Sequence, residues 1–359
     1  MNIINMEGFR QIPADVELKA ASPDKTLEVL KRYGVGLITG CGNISTLSSL
    51  KAGTQVVDTV AYHGLQAQIY GTEGRNGFSL TFLLPDIRRA AVQVGFRLTL
   101  SAGKKMIASL LSVGSASFDT TCMAADEAAS YYYEIFVRYR ADTTIQVEQY
   151  CNRVLMARQK FPSEGSWYTT RAPDKVEVCI GSEYIFADRV HGAMTIGDIY
   201  IGTTDYGENY SAAPDLLGSV EVAACPVVAF EGNAHVNTLG KDVVKGLNSG
   251  TAEAGYLSLR PVDQPAVITF ERPDVVGKKV LGVMAGLTFR SSSAPNNHLA
   301  WQVRQGAVDG PLMEETSGKG DQGSWTTLTR TFVTPLDNTP AWDERNMQFS
   351  LVLYNRNNT

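Results

Sequence analysis

The sequence predicts an all-β fold made of antiparallel sandwiches, and three observations support this prediction. Short runs with a period of two recur along the 359 residues, as in strands that bury one face. The 33 Gly and 14 Pro are spread out rather than clustered, which suits a fold with many turns. Long helical patterns do not separate the strand-like runs, so turns join them and neighbouring strands run antiparallel.

One helix is predicted before the first run of strands. Ser22 is suited to cap it, Pro23 fits its first turn, and Leu27 and Leu30 form an apolar stripe. Gly34 then offers a left-handed stop. The expected role of this helix is to pack against one edge or end of a sheet.

The first block of strands follows the helix in close succession. Residues 91–100 alternate between apolar and polar, which predicts one buried face and one solvated face, and residues 131–139 repeat this pattern. Cys151-Asn152-Arg153 is interpreted as a hairpin tip. The predicted strands of this block are 54–62, 65–70, 78–84, 91–100, 131–139, 144–150, 154–157, 175–180 and 193–202.

A second run of strands predicts a second domain. Residues 205–226, which contain Pro214 and Pro226, are the predicted hinge. The division is therefore a β-sandwich domain over residues 1–215 and a smaller β-sandwich domain over residues 216–359. Residues 306–323 are interpreted as a long contact loop. The predicted strands of the second run are 266–270, 280–290, 300–304, 326–333 and 348–354.

Composition excludes several classes of partner. The 32 Lys and Arg are outnumbered by 37 Asp and Glu, so nucleic-acid binding is not expected. The start of the chain has no basic and apolar signal pattern, and no apolar window is long enough for a bilayer, so we expect synthesis in a cytoplasm and no membrane insertion. The five cysteines are widely spaced and the four histidines are scattered, which predicts reduced structural thiols and no cofactor: Cys41, Cys122, Cys151, Cys179 and Cys225.

Motifs for catalysis are absent from the sequence. Sandwich glycosidases place carboxylates as Glu-x-Asp-x-Glu on one strand, whereas Glu134 and Glu148 stand alone and Asp343-Glu344 are adjacent. The Gly-x-Ser-x-Gly spacing of a nucleophile elbow is also missing. The sequence therefore predicts that the chain is not an enzyme and has no catalytic, cofactor-binding or metal-binding residues.

Two alternatives to a purely structural interpretation stay open. Asp198, with Asp205 and Asp215 downstream, could contribute to a calcium site, although a turn-orienting role for Asp198 is the simpler hypothesis. Tyr132, within the run Tyr131-Tyr132-Tyr133, could stack on a sugar, although core or interface packing is the commoner role. The same two hypotheses apply to the tryptophans of the second half: Trp301, Trp325 and Trp342.

The order of several short motifs resembles one known family. The chain opens with Glu7-Gly8-Phe9 after Met1, and an alternating run over 91–98 and a hairpin over 147–154 follow. Further motifs are an Asp-Ile-Tyr-Ile strand, a Leu-Gly-x-Val-x-Val run, a Val-x-Gly-Val strand, a Val-Arg pair and a late Trp: 198–201, 217–222, 280–283, 303–304 and Trp342. Together they resemble tailed-bacteriophage virion proteins with a concanavalin A-like (laminin G-like) sandwich. Cys151-Asn152-Arg153 departs from the Val-Asn-Gly tip frequent in that family, as do Ser219 and Glu221 from its linker strand.

The resemblance implies a fold and a function. It implies a concanavalin A-like or jelly-roll sandwich followed by a smaller β-domain, in a structural component of a virion. A tail-associated place (baseplate, collar or fibre attachment) is expected first, then capsid decoration. Other virion proteins and further copies of this chain are the expected partners. A module that recognises a host-surface glycan through a loop-end pocket is the competing hypothesis.

Overall fold

The computed structural model confirms the predicted all-β antiparallel class. It divides the chain into two compact units, and each contains segments distant in sequence: Met1–Arg10, Ala14–Leu30 and Leu37–Val222 in the first, and Gln11–Pro13, Lys31–Gly36 and Ala223–Thr359 in the second. The residues that the structure describes are 1–42, 44–71, 78–101, 104–107, 112–113, 116–117, 122–125, 128–162, 174, 176–182, 184–185, 190–232, 234–238, 242–249, 255–259, 264–290, 297–315, 326–342 and 345–357.

The first unit is built around an eight-stranded antiparallel sheet. The elements up to its last strand are, in chain order, β1 (Asn2–Glu7), α1 (Pro23–Arg32), β2 (Gly40–Gly42), β3 (Leu47–Val57), β4 (Val60–Gly71), β5 (Phe78–Leu83), β6 (Ala90–Leu100), β7 (Lys104–Ile107), β8 (Ser112–Val113), β9 (Ala116–Ser117), β10 (Cys122–Ala125), β11 (Ala129–Tyr139), β12 (Thr144–Cys151), β13 (Val154–Pro162), β14 (Glu177–Ser182), β15 (Tyr184–Ile185) and β16 (Val190–Asp205). Short 3₁₀ turns cover Ile44–Thr46 and Glu208–Tyr210.

The large sheet has the strand order β13-β12-β11-β6-β16-β4-β3, and β1 also pairs with β16. Strands β2, β5, β14, β8 and β9 form a second sheet, and β10, β7 and β15 form a third. On one face of the large sheet, alternate residues of β6 such as Val94, Phe96 and Leu98 are completely buried. The apolar half of the alternating pattern therefore forms core, as predicted.

The predicted helix is confirmed as α1. The amide of Lys25 lies 3.4 Å from Ser22 Oγ, Leu30 is fully buried, and Gly34 has φ of +80° after the last turn. A glycine is needed at this stop because a Cβ disfavours the left-handed region.

The predicted strand 54–62 is wrong, because a hairpin turn lies in its middle. Asp58 and Thr59 both have positive φ, 49° and 72°, and β3 pairs with β4 directly across them. Two such residues form the two-residue turn whose twist matches that of a hairpin. Asn152 and Arg153 make the same kind of turn between β12 and β13, so the predicted hairpin tip is confirmed.

The second unit contains a six-stranded sheet and two two-stranded sheets. The six-stranded sheet has the order β17-β20-β26-β22-β23, and β24 also pairs with β22. The elements are β17 (Val227–Gly232), β18 (Ala234–Thr238), α2 (Val243–Leu247), β19 (Gly255–Leu259), β20 (Ala266–Phe270), β21 (Val283–Phe289), β22 (Asn297–Gln305), β23 (Val308–Asp309), β24 (Met313–Glu315), β25 (Thr326–Phe332) and β26 (Phe349–Asn357).

The core of the second unit is apolar. Trp301, Val303, Leu351 and Leu353 are among its buried residues, contributed by the neighbouring strands β22 and β26. Part of the predicted contact loop 306–323 is instead strand, since β23 and β24 lie within it and pair with β22. Residues 316–323 of this predicted loop lie outside the described residues.

No helix in the described part of the chain is both long and apolar enough to cross a bilayer. The predicted domain boundary after residue 215 differs from the unit boundary after Val222, and it stays a prediction.

Candidate functional site: the polar face beneath residues 212–222

Polar side chains occupy the second face of the large sheet at its centre. Strands β11, β6 and β16 lie side by side there, and their alternating registers bring together Gln93, Arg97, Tyr132, Glu134 and Tyr200. All five are buried. The prediction that this face of residues 91–100 is solvated is therefore wrong, and the reason is that another part of the chain covers it.

The cover is an extended segment, residues 212–222, which follows β16 and is called the cover segment below. Glu134 accepts hydrogen bonds from the backbone amides of Leu217, at 2.8 Å, and Gly218, at 3.1 Å. The side-chain amide of Gln93 pairs with the backbone of Asp215, donating to its carbonyl at 3.0 Å and accepting from its N–H at 3.2 Å. These residues lie within the predicted hinge, 205–226, and are hydrogen-bonded to the sheet.

A buried ion pair lies under the far end of the cover segment. Arg97 Nε is 2.9 Å from Asp198 Oδ2, and its Nη2 donates to Ser219 Oγ at 2.5 Å and to the carbonyl of Val220 at 3.3 Å. Asp198 Oδ1 accepts from the amide of Val222 at 3.0 Å. Burial nevertheless raises the pKa of Asp198 above its usual value, because it disfavours the charged form more than these partners favour it.

Two aromatic rings enclose the guanidinium of Arg97. Its Cζ lies 4.5 Å from the ring centre of Tyr62 and 5.2 Å from that of Tyr132, which are cation–π distances. Tyr132 Oη also donates to the backbone carbonyl of Asp198 at 3.0 Å. Tyr132 is therefore a buried packing residue, and the hypothesis that it forms an exposed sugar platform is wrong.

Tyr200 completes the cluster through a close contact with a glycine. Its hydroxyl donates to Glu134 Oε1 at 2.7 Å and accepts from the amide of Gln93 at 2.6 Å. A Cβ on Gly95 would lie 2.1 Å from the Tyr200 ring, so only glycine leaves room for the ring above β6. Burial, then the neighbouring Glu134 charge, raises the pKa of Tyr200, so the phenol stays protonated.

Asp198 sits at an irregularity of β16. Its φ is +48°, and the register with β6 shifts between Gly197 and Tyr200. The neighbour of β16 changes here from β4, which ends its pairing at Ile196, to β1, which begins at Ile199. The bulge turns the Asp198 carboxylate onto the covered face, as bulges commonly re-aim side chains.

A second polar cluster surrounds Glu148 on β12. Its carboxylate accepts from Arg158 Nε at 3.0 Å and from Tyr150 Oη at 2.5 Å, and Arg138 Nη2 lies 3.6 Å away. Arg138 Nη1 in turn donates to the carbonyl of Ala212 at 2.7 Å, at the start of the cover segment.

The acids singled out in the sequence have separate surroundings. Glu134 and Asp198 both bind the cover segment, whereas Glu148 forms the second cluster. Asp198 pairs with Arg97 rather than with Asp205 or Asp215, and the described residues contain no group of three metal-ligating side chains. Of the tryptophans, Trp301 and Trp342 belong to the apolar core, and Trp325 lies outside the described residues with Asp343 and Glu344.

Sequence reasoning missed Gln93, Arg97 and the cover segment. A signal was present, because an arginine and a glutamine in the middle of an otherwise apolar alternating strand need partners if that strand is central. Buried polar groups of this kind predict complementary groups elsewhere in the chain. The sequence pattern does not say where.

No protein-family model and no curated protein matches this sequence. Three similar solved structures are an endo-β-1,4-glucuronan lyase from the fungus Trichoderma reesei, the alginate lyase Aly36B and the binding domain of botulinum neurotoxin serotype D. Their sequence identities are 9%, 7% and 10%, and their TM-scores are 0.28, 0.33 and 0.24. The matches cover 46%, 56% and 76% of this chain and 96%, 97% and 76% of the respective structures.

These likenesses correct one prediction. The sequence predicted, from its missing catalytic motifs, that the chain is not an enzyme, but two of the similar structures are polysaccharide lyases, and this finding contradicts the prediction. At these identities and TM-scores the likeness carries no further argument about this chain. It assigns neither an activity nor a substrate to this chain.

Proposed function

We propose that the protein is a structural component of a tailed-phage virion and acts by association with further copies of itself and with other virion proteins. The sequence motifs that resemble such proteins support this function, and with it the finer description of the first unit as concanavalin A-like. A tail-associated place is preferred to capsid decoration on the same resemblance.

One structural observation supports association between chains. Strand β13 is the last strand of the large sheet in the described part of the chain, and its outer edge has no described partner strand. It exposes three consecutive apolar side chains, Val154, Leu155 and Met156, which are 62%, 43% and 39% exposed. An apolar edge strand offers both backbone groups and apolar surface to another strand, so it is a site for pairing between chains.

The test is the mass and symmetry of the purified protein. We expect species above the 38.9 kDa of one chain, with association weakened at least about tenfold by Leu155→Lys, because a charge on an edge strand opposes pairing. Leu312→Lys is the matched control, since Leu312 is 39% exposed and lies in the second unit. Light scattering and native mass spectrometry over a concentration series measure both variants.

Particle incorporation tests the virion part of the proposal. Particles that assemble with the Leu155→Lys chain in normal amount would contradict the choice of β13 as the contact surface. A wild-type chain that stays at the mass of one copy and is absent from purified particles would contradict the proposed function itself.

A loop-end cleft in the second unit favours a second candidate function, recognition of a host-surface glycan. The cleft has a volume of about 500 Å³, within the usual range for small ligands, and its lining includes Gln305, Asp337, Asn346 and Gln348. Hydrogen bonds from Thr339 hold the pKa of Asp337 below its usual value, so this carboxylate is ionised at neutral pH. The side-chain amides of Gln305, Asn346 and Gln348 donate to other protein groups, so the Asp337 carboxylate is the group proposed to accept from sugar hydroxyls.

A glycan-array experiment compares the two functions. We expect glycan binding by the full chain to be lost in Asp337→Ala if the cleft is the site, while Asp142→Ala serves as a control, since Asp142 makes the same turn bond to Thr144 in the first unit. Binding that is equal in both variants, or absent from the wild type, excludes the cleft as a glycan site.

A further inference from the structure

The cover segment is held by the sheet as a bound peptide would be. A protein can bind a peptide by pairing with it as a β-strand, or by hydrogen bonds from its side chains to the peptide backbone. The cover segment is bound in the second way. Seven such bonds are described, from five residues of the large sheet: Gln93 to Asp215 twice, Glu134 to Leu217 and to Gly218, Arg97 to Val220, Arg138 to Ala212 and Asp198 to Val222. Most of the recognition is therefore of an extended backbone.

The backbone of the cover segment makes no described hydrogen bond to another backbone. Residues 212–222 form no strand, and they are absent from the described turn and loop pairs. The segment can therefore leave the groove without breaking a sheet ladder. The cost of departure is the loss of the side-chain bonds given above, of the bonds from Arg10 to Val222 and from Arg153 to Leu217, and of the contact between the N-terminal ammonium and Asp215.

Gly218 determines how the cover segment fits into the groove. Gly218 has φ of +74°, and a Cβ there would lie 2.5 Å from Arg153 Nε. Arg153 Nη2 donates to the carbonyl of Leu217 at 2.8 Å, so the guanidinium cannot move without losing that bond. The next residue of the segment, Ser219, accepts a hydrogen bond from Arg97 with its side-chain hydroxyl. The groove thus selects an extended peptide that contains Gly-Ser.

The chain is anchored just before the segment begins. Tyr206 Oη donates to the carbonyl of Ile87 at 2.6 Å and accepts from the amide of Tyr139 at 2.7 Å. The ring of Tyr210 packs edge-on against Tyr206 and Tyr139, with centroid distances of 4.8 and 5.7 Å. Departure of the segment therefore starts after Tyr210 and leaves the sheet and these anchors in place.

We propose that the groove can take residues 212–222 of a second copy of this chain in place of its own, so that two copies exchange their cover segments. A second copy is the partner that the groove fits, because every bond described in one chain is remade between two chains. Exchange of an identical element is a low-cost route to dimers for this reason. This inference is independent of the β13 edge proposed above.

Competition with the chain's own segment determines how the groove is tested. A tethered segment acts at an effective concentration of roughly the millimolar range, so a free peptide binds the wild type weakly. Weakening the segment within the chain, without altering the sheet, should open the groove to a free peptide. Gly218→Ala does this, because the added Cβ meets Arg153 and the positive φ disfavours alanine.

The first experiment measures binding of a fluorescent peptide with the sequence of residues 211–223 to the full chain. We expect at least about tenfold tighter binding by the Gly218→Ala chain than by the wild type. Gly277→Ala is the matched control, since Gly277 also has positive φ, +67°, but has open space around its Cβ position. A peptide carrying alanine at the position of Gly218 should bind at least about tenfold more weakly than the unaltered peptide.

Two results would contradict the proposal that the groove binds the segment as a peptide. One is equal peptide binding by the wild type, Gly218→Ala and Gly277→Ala, when all three melt cooperatively. The other is equal binding of the glycine and alanine peptides. If Gly218→Ala does not fold, Ser219→Ala replaces it, because that change removes only the hydrogen bond from Arg97, and a gain of a few-fold is expected.

The second experiment tests the exchange between copies. Heavy and light isotope-labelled full chains are mixed, incubated under mildly destabilising conditions and examined by native mass spectrometry. We expect mixed dimers that an excess of the free peptide prevents and that persist in the Leu155→Lys background. If the amount of mixed dimer is the same with and without the free peptide, or if no mixed dimer forms, the segment does not exchange.

Discussion

Each unit of the molecule places an Arg–Asp pair on neighbouring strands, and the two pairs have opposite surroundings. Arg97 and Asp198 are 8% and 5% exposed, whereas Arg304 and Asp309 are 33% and 47% exposed. The exposed pair is open to solvent and does not need a covering chain. The buried pair also receives hydrogen bonds from the backbone and Ser219 of the cover segment, so a charge buried in a sheet needs a covering chain with matching polar groups.

The two principal sheets differ in the same way. The six-stranded sheet contributes an apolar cluster that includes Trp301 and Leu351, and such packing tolerates many partners of the right volume. The polar face of the large sheet requires donors and acceptors at defined positions. A cover held by polar groups is therefore more selective than one held by apolar packing, and this difference can be measured.

The largest expected effect is a difference in stability between two fragments of the chain. A chain of residues 1–222 keeps the whole cover segment, whereas a chain of residues 1–215, the predicted domain, lacks the groups that bind Glu134, Arg97 and Asp198. Leaving several buried polar groups without partners costs roughly 1–3 kcal/mol each, so the shorter fragment should lose most of its stability. Circular-dichroism melts of both fragments decide this, and equal melting temperatures would show that residues 216–222 do not matter to the fold.

The next effect compares the two ion pairs directly. Arg97→Met leaves Asp198 buried without its partner and should cost about 3–5 kcal/mol, while Arg304→Met should cost about 1 kcal/mol or less. Urea unfolding of the full chain, followed by signals from each unit, measures both. If Arg97→Met and Arg304→Met lower the free energy of unfolding equally, the difference in burial between the two pairs does not affect stability.

A smaller effect is expected from Glu134→Gln. The amide keeps the size of the side chain, but one of its two ends becomes a donor that faces the donors Leu217 N–H, Gly218 N–H and Tyr200 Oη. We expect a loss of about 1–3 kcal/mol. Tyr200→Phe removes the hydroxyl that donates to Glu134 and accepts from Gln93 but keeps the ring above Gly95, so it serves as the control and should cost less. The same unfolding experiment ranks them.

The strands and the helix could be predicted from the sequence because local rules determine them. Alternation located β6 and β11, and a capping serine, a first-turn proline and a left-handed glycine located α1. The prediction failed at Asp58-Thr59, where two residues that rarely adopt positive φ make the β3–β4 turn. The pairing of β3 with β4 across this turn outweighs the local conformational preference of Asp58 and Thr59.

The candidate site could not be predicted, because it depends on contacts between residues far apart in sequence. Gln93 meets Asp215, and Glu134 meets Leu217, only after the sheet has formed and the chain has crossed it. Asp198 was recognised as unusual, but its partner Arg97 lies about a hundred residues away in the chain. A pattern with period two tells which face a side chain occupies and not what covers that face.

The smallest expected effect is a difference in the sign of pH dependence. Burial raises the pKa of Asp198, whereas the hydrogen bond from Arg304 lowers the pKa of Asp309. A raised folded-state pKa means that the folded chain binds the proton more readily than the unfolded chain, so the contribution of Asp198 to stability grows as pH falls and is lost as pH rises through that pKa. The lowered pKa of Asp309 gives a contribution that is present at neutral pH and lost on acidification. Unfolding free energies of Asp198→Asn and Asp309→Asn, each relative to the wild type and measured between about pH 3 and pH 7, should therefore change in opposite directions. Parallel changes would mean that the ion pair with Arg97 outweighs the burial of Asp198, and the two pairs would then differ in degree only.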